Sequence, residues 1–266
     1  MVERLLRRDQ FVVVGAVIAL VALASLYTIF GVGMSMTAIE MTRMARPVAE
    51  PMAMGDGTEW TVSYAVLIFL MWWVMMIAMM TPSAAPMLLL YTAIKRQGAD
   101  AHRSTMLSLL FLAGYLLAWA VFSALASGLQ WGFEKAGLIE AAMMTVNSRL
   151  FAGAILILAG LYQLSAFKEA CLTHCRSPAQ FLAQHRRPGG LGAVRLGAHH
   201  GLFCLGCCWA LMALLFVGGI MNLWWIVALA LYVLAEKTLT HARWLTRGAG
   251  WLLIAGGVYV VAPLLV

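Results

Sequence analysis

The apolar positions of this chain fall in long unbroken runs rather than in alternation. Seven such runs stand out, at about 11–33, 60–82, 104–128, 150–167, 200–219, 222–236 and 248–266. A bilayer core about 30 Å thick takes roughly 20 apolar residues of helix to cross. Period-two alternation, the mark of a membrane strand, is absent. The pattern predicts an all-α, polytopic transmembrane helical bundle of about seven spans, as a single membrane domain over residues 1–266. The first run is about twice as long as the ~7–15 apolar residues of a signal peptide, and no A-x-A site follows it. It reads as a retained anchor. The segment 84–94 is apolar but too short to cross, and reads as an extension of the second span at the inner surface. Pro82 and Pro86 are expected to kink or break the helix there. Between the runs lie a Met-rich outer loop (34–59) and a basic inner loop (168–199). The inner loop, with its Pro, Gly and Arg, reads as the most irregular segment.

Composition excludes the soluble alternative. The chain is 63% hydrophobic and 11% charged, with a mean hydropathy of +0.89. A soluble domain carries about 25% charged residues. The net charge of +7 then reports orientation, because Lys and Arg collect on the cytoplasmic side. With the N-terminus inside, the inner segments hold Arg4, Arg7, Arg8, Lys95, Arg96, Arg103, Lys168, Arg176, Arg186, Arg187, Arg195, Lys237, Arg243 and Arg247. The outer segments hold Arg43, Arg46, Lys135 and Arg149. This split favours a cytoplasmic N-terminus and a periplasmic C-terminus. The immediate partner is the lipid bilayer. No P-loop, dinucleotide fingerprint, H-E-x-x-H or nucleophile elbow occurs, and nothing points to nucleic acid.

The same topology sorts the soft ligands. All five Cys and all six His fall at or near the inner side, where a reducing compartment keeps thiols free. His200, Cys204, Cys207 and Cys208 follow i, i+4, i+7 and i+8, so they line one stripe of a helix. Cys171, His174 and Cys175 repeat that logic at i, i+3 and i+4 on the preceding span. Thiolate and imidazole suit zinc, and thiolate also suits Cu(I). One helix cannot close such a site, so neighbouring helices must contribute. Glu236 ends an apolar run opposite the stripe and is a further candidate ligand or proton carrier. Each has a plain alternative: Cys as inert core filler, Glu236 as the ion-pair partner of Lys237. His199 reads as interfacial, and His102, His185 and His241 as solvated loop residues.

Methionine forms a second cluster. Met34, Met36, Met41, Met44, Met52 and Met54 crowd the outer loop, six within 21 residues. In the second span Met71, Met75 and Met79 recur at i, i+4 and i+8, and Met76 pairs with Met80. Thioethers are soft, need no deprotonation and select Cu(I) over hard cations. Met75, Met76, Met79 and Met80 are therefore candidate ligands, with core packing as the alternative. The G-x-x-x-G pairs Gly128/Gly132 and Gly197/Gly201 lie at expected span ends, which weakens them as packing signals.

Three blocks resemble a known family. They are Trp72-Trp73-Val-Met75-Met-Ile-Ala78-Met79-Met80-Thr-Pro82-Ser-Ala-Ala-Pro86, then Cys171-Leu-Thr-His174-Cys175-Arg176-Ser177-Pro178, then His200-Gly-Leu-Phe-Cys204-Leu-Gly-Cys207-Cys208-Trp209 with Met221-Asn222 and Ala235-Glu236-Lys237. The chain is similar to the bacterial family catalogued as domain of unknown function 2182, predicted metal-binding integral membrane proteins. The resemblance implies a multi-helix membrane fold with a metal site, and leaves the metal and activity open. Together these features point to a bacterial inner-membrane, multi-pass protein that handles metal. Cu(I) is the expected cargo, with zinc as the alternative, and the role is binding, transport or delivery rather than catalysis. A metallochaperone or a membrane or periplasmic protein is an expected partner, and a homo-oligomer is compatible. The rival readings are a subunit of a thiol- or metal-dependent redox enzyme and a structural subunit without metal.

Overall fold

The computed structural model of the chain describes residues 2–45, 59–98, 101–185, 187–239 and 243–264, with side chains from residue 11 onward. The helices in order are α1 (Val2–Phe30), α2 (Ala38–Met44), α3 (Val62–Gln97), α4 (Ser104–Lys135), α5 (Arg149–Gln163), α6 (Ala166–Arg176), α7 (Pro178–Gln184), α8 (Gly189–Gly218), α9 (Leu223–Thr238) and α10 (Arg243–Val261). A two-residue hairpin, β1 (Ile139–Glu140) with β2 (Thr145–Val146), joins α4 to α5. The all-α expectation holds. Capping residues start several helices: the Thr61, Ser148, Ser165 and Asn222 side chains accept backbone N–H bonds of the first turns of α3, α5, α6 and α9, satisfying donors that the helix leaves open.

Five described helices are long and apolar enough to cross a membrane, or six if the α5–α6 pair, bent by 62°, counts as one broken span. The remaining expected span corresponds to α9. Its 16 residues reach about 24 Å, short of a core about 30 Å thick. Length and composition thus support five or six crossings of a membrane protein, rather than a firm seven. The outward faces agree with lipid contact: Phe11, Leu23, Phe30, Leu125, Leu158, Trp251 and Leu252 are all exposed.

Three local expectations are revised. Helix α3 runs through Pro82 and Pro86 without a break. The Met80 carbonyl in this stretch accepts from Ser83 Oγ at 2.8 Å and Tyr115 Oη at 3.1 Å, so side chains add hydrogen bonds to the backbone of this part of the helix. The inner loop is not irregular but largely helical, forming α6, α7 and the first turns of α8. Pro178 opens α7 at its first turn, a position where its missing N–H is no loss. Phe181, Leu182, Ala193 and Leu196 are buried, which fixes these turns against α3, α4 and α6. In the outer loop, Thr37 and Glu40 form a capping box that starts α2. The Thr37 N–H and hydroxyl hold the Glu40 carboxyl below its ordinary range. Met41 is buried, and Met34, Met36 and Met44 pack against the core. Met52 and Met54 lie outside the described residues.

The bundle is built around α8. It is the most buried of the candidate spans, while α1 and α10 are the least. Its most extensive contact is with α4. Gly197 and Gly201 lie inside α8, not at its end, because the helix starts at Gly189. A Cβ on Gly197 would run into the Phe111 backbone, and one on Gly201 would meet Ala118 Cβ at 2.6 Å. Gly114 returns the favour, facing the Val194 backbone. A second seam joins α5 to α10 through Gly153 and Gly160 against Gly257 and Gly250. Small residues let helix backbones approach where apolar lipid gives no hydrophobic drive to associate. One end of the bundle gathers contacts between helix ends and connecting segments. Trp60 Nε1 donates to Glu134 at 2.6 Å, the Leu223 N–H to Thr42 at 2.9 Å and the Ile220 N–H to the Met144 carbonyl at 3.2 Å. The opposite end holds α6 and α7.

Gly197→Ala should therefore destabilise the fold by about 1–3 kcal/mol or more through overpacking. Gly15→Ala, where nothing lies within 4 Å of the new Cβ, should not. Thermal unfolding of the two variants in detergent checks the difference, and equal effects would contradict the glycine-seam account.

Candidate metal centre

The expected stripe forms, and it faces inward. Cys204, Cys207 and Cys208 lie on α8 at 1–2% exposure. The Cys207 and Cys208 thiols each donate to the Cys204 carbonyl, at 3.0 and 2.9 Å. The three thiols therefore share one face of α8, with Cys208 one turn beyond Cys204. Cys175, at the end of α6, is half-buried and packs against the same core. From α3, Met80 brings its thioether to within 3.9 Å of Cys208 Sγ. The Cys208 thiol of α8 and the Met80 thioether of α3 thus meet in the interior, with Cys204 and Cys207 on the same face of α8.

Cys204 has two further partners. Tyr115 Oη, from α4, lies 3.1 Å from its sulfur. Lys237 Nζ, from α9, lies 2.9 Å from the same sulfur and donates to Ser83 Oγ at 2.9 Å. Among the described residues, no three His, Cys, Asp or Glu side chains converge to hold a metal. The stripe explains this. Residues three and four apart share a face but point along it, so consecutive sulfurs line up instead of enclosing a point. What the stripe does offer is a pair of thiols, Cys204 and Cys208, with the Met80 thioether beside them.

A charged network borders this centre. Lys168 Nζ donates to Glu236 at 2.7 Å and to Gln163 Oε1 at 2.6 Å. The other Glu236 oxygen accepts from Gln163 Nε2 at 2.8 Å and Tyr232 Oη at 2.7 Å. Lys168 and Glu236 side chains are only 1% and 2% exposed. Burial of such a pair is tolerable only when the remaining donors and acceptors are met, and here Gln163 and Tyr232 meet them. Arg176 donates to the Glu236 carbonyl at 2.8 Å, which fastens α6 to α9.

The other sequence candidates sit as follows. Glu236 is turned to Lys168, away from the thiols, and Lys237 is not its partner. Cys171 is buried against Gly206 of α8. The Tyr162 hydroxyl of α5 donates to the Gly206 carbonyl. His174 stacks on Phe203 at 4.2 Å and its Nδ1 meets the Ala170 carbonyl at 2.9 Å. His200 is buried among Tyr115, Phe111 and Phe181, and its Nδ1 has no partner. His185 and His199 are not separate surface residues, since their rings meet at 4.7 Å. Met75, Met76 and Met79 are buried in the core with Met71. Among the described methionines, Met80 is the one whose sulfur meets a thiol.

Sequence reasoning passed over Lys168, Gln163, Tyr115 and Ser83 as site residues, and considered Lys237 only as a partner for Glu236. Gln163 carried a signal, being a polar residue inside an apolar run. The contact of Lys237 with Cys204 carried none, because Cys204 lies on another helix.

A family model described as a copper chaperone, PpoB2, matches residues 69–260. The chain belongs to this copper-chaperone family. The matched stretch contains every thiol, Met80, Lys237 and the charged network, and excludes α1, α2 and the outer methionines. The expectation of a metal-related family is met at that level. No curated protein and no solved structure matches significantly.

The charged network makes a stability prediction. Lys168→Met alone should cost about 3–5 kcal/mol, because it leaves Glu236 buried and uncompensated. The double variant Lys168→Met/Glu236→Leu should recover most of that loss. Denaturant unfolding in detergent measures both, and a double variant as unstable as the single would contradict the assignment.

Proposed function

We propose that this protein is a bacterial inner-membrane chaperone that binds Cu(I) at Cys204, Cys208 and Met80 and passes it to a partner. The observation that carries this reading is the contact of the Cys208 thiol of α8 with the Met80 thioether of α3, with Cys204 one turn away on the same face of α8, all buried. Thiolate and thioether sulfur select Cu(I) over hard cations, and two thiols with one thioether supply three soft donors. Cys207 and Cys175 continue the sulfur line towards the end that holds α6 and α7. That line offers a path of ligand exchange, each step moving the ion between neighbouring sulfurs. The basic residues at that end support its assignment to the cytoplasmic side. A soluble metallochaperone or a membrane-bound partner would exchange copper there. The blocks that resemble domain of unknown function 2182 all lie inside 69–260, which supports reading the two descriptions as one protein group.

Elemental analysis of the purified full-length protein, loaded with Cu(I) under reducing conditions, tests this. The expected result is about one copper per chain, lost in Cys204→Ser/Cys208→Ser and weakened in Met80→Leu. Met79→Leu, in the apolar core, should retain copper. Equal copper in the wild-type protein and the Cys double variant would overturn the proposal.

A further inference from the structure

Three Lys, Arg, Asp or Glu side chains are buried among the described residues: Lys168, Glu236 and Lys237. Lys168 and Glu236 cancel each other in an ion pair at 2.7 Å. Lys237 is 7% exposed and directs its ammonium at the Cys204 sulfur at 2.9 Å, with Ser83 as its other partner. Arg176, on the Glu236 carbonyl, is half-buried and partly screened by solvent. Among the described residues, Lys237 is thus the buried cationic side chain with no carboxylate partner. An uncompensated ion in an apolar interior is costly, so its counter-charge must come from the thiol site.

We propose that Lys237 is a specificity-determining residue that sets the charge of the cargo, favouring a monovalent soft cation over a divalent one. This rests on the copper reading above. Two thiolates with Cu(I) make a complex of charge −1, and the Met80 thioether adds none. Lys237 brings the sum to zero. Two thiolates with Zn²⁺ make a neutral complex and leave the lysine charge bare. A third thiolate would restore balance for zinc. No three His, Cys, Asp or Glu side chains among the described residues converge to provide it. Lys237 touches the ligand sulfur, not the metal.

The test is competition between Cu(I) and Zn²⁺ for the full-length protein in detergent, with the retained copper-to-zinc ratio read by elemental analysis. Ag(I) serves as a second monovalent probe. Lys237→Gln and Lys237→Met should each lower the copper-to-zinc and silver-to-zinc ratios by about tenfold or more, whereas Lys237→Arg should preserve them. The apolar Met variant serves if the Gln variant does not fold. A role in packing alone would change stability without changing the ratio. If the wild type retains no Cu(I), the copper reading fails. If it retains Cu(I) selectively and neither Lys237→Gln nor Lys237→Met changes the ratio, the charge role fails while the copper reading stands.

Discussion

A charge inside an apolar bundle has no water to answer it, so it must find its complement in the protein. The interior of this chain is organised by that constraint. Lys168 and Glu236 meet each other, and Gln163 and Tyr232 take up their remaining donors and acceptors. These four groups come from three helices, so the network ties α5, α6 and α9 together. Lys237, one residue beyond Glu236, is left to face Cys204. Satisfaction of the first charge thus aims the second at the sulfur site.

The glycine seams allow that arrangement. Helix α8 occupies the centre because Gly197 and Gly201 let α4 approach its backbone. The same approach brings Tyr115 of α4 to Cys204 and to the Met80 carbonyl. Pro82 lies two residues after Met80, in a stretch of α3 whose backbone is held by side chains from two directions. Packing and chemistry therefore meet on the same few residues. A change at the seam would reach the sulfurs through the position of α8.

The all-α membrane fold was legible from the apolar runs, and the cysteine stripe from its spacing, because both depend on periodicity within one segment. The helical character of 168–199 was not, since its polar and Gly-rich composition resembles a loop while Phe181, Leu182 and Leu196 find partners only in the folded bundle. The 11-residue extension of α8 before residue 200 hid the position of Gly197 and Gly201. Met80 could not be told from Met75, Met76 or Met79, because a methionine stripe has the same pattern whether it packs or binds. Glu236 was found as a buried acid but given the wrong neighbour. Lys168, 68 residues away, could be paired with it only by the fold.

The central claim is that sulfur from α8 and α3 holds copper in the interior. X-ray absorption at the copper edge of the Cu(I)-loaded protein reads that shell directly. A shell of sulfur alone, losing one scatterer in Met80→Leu, is the expected result. A shell dominated by nitrogen or oxygen would place the copper elsewhere and contradict the account.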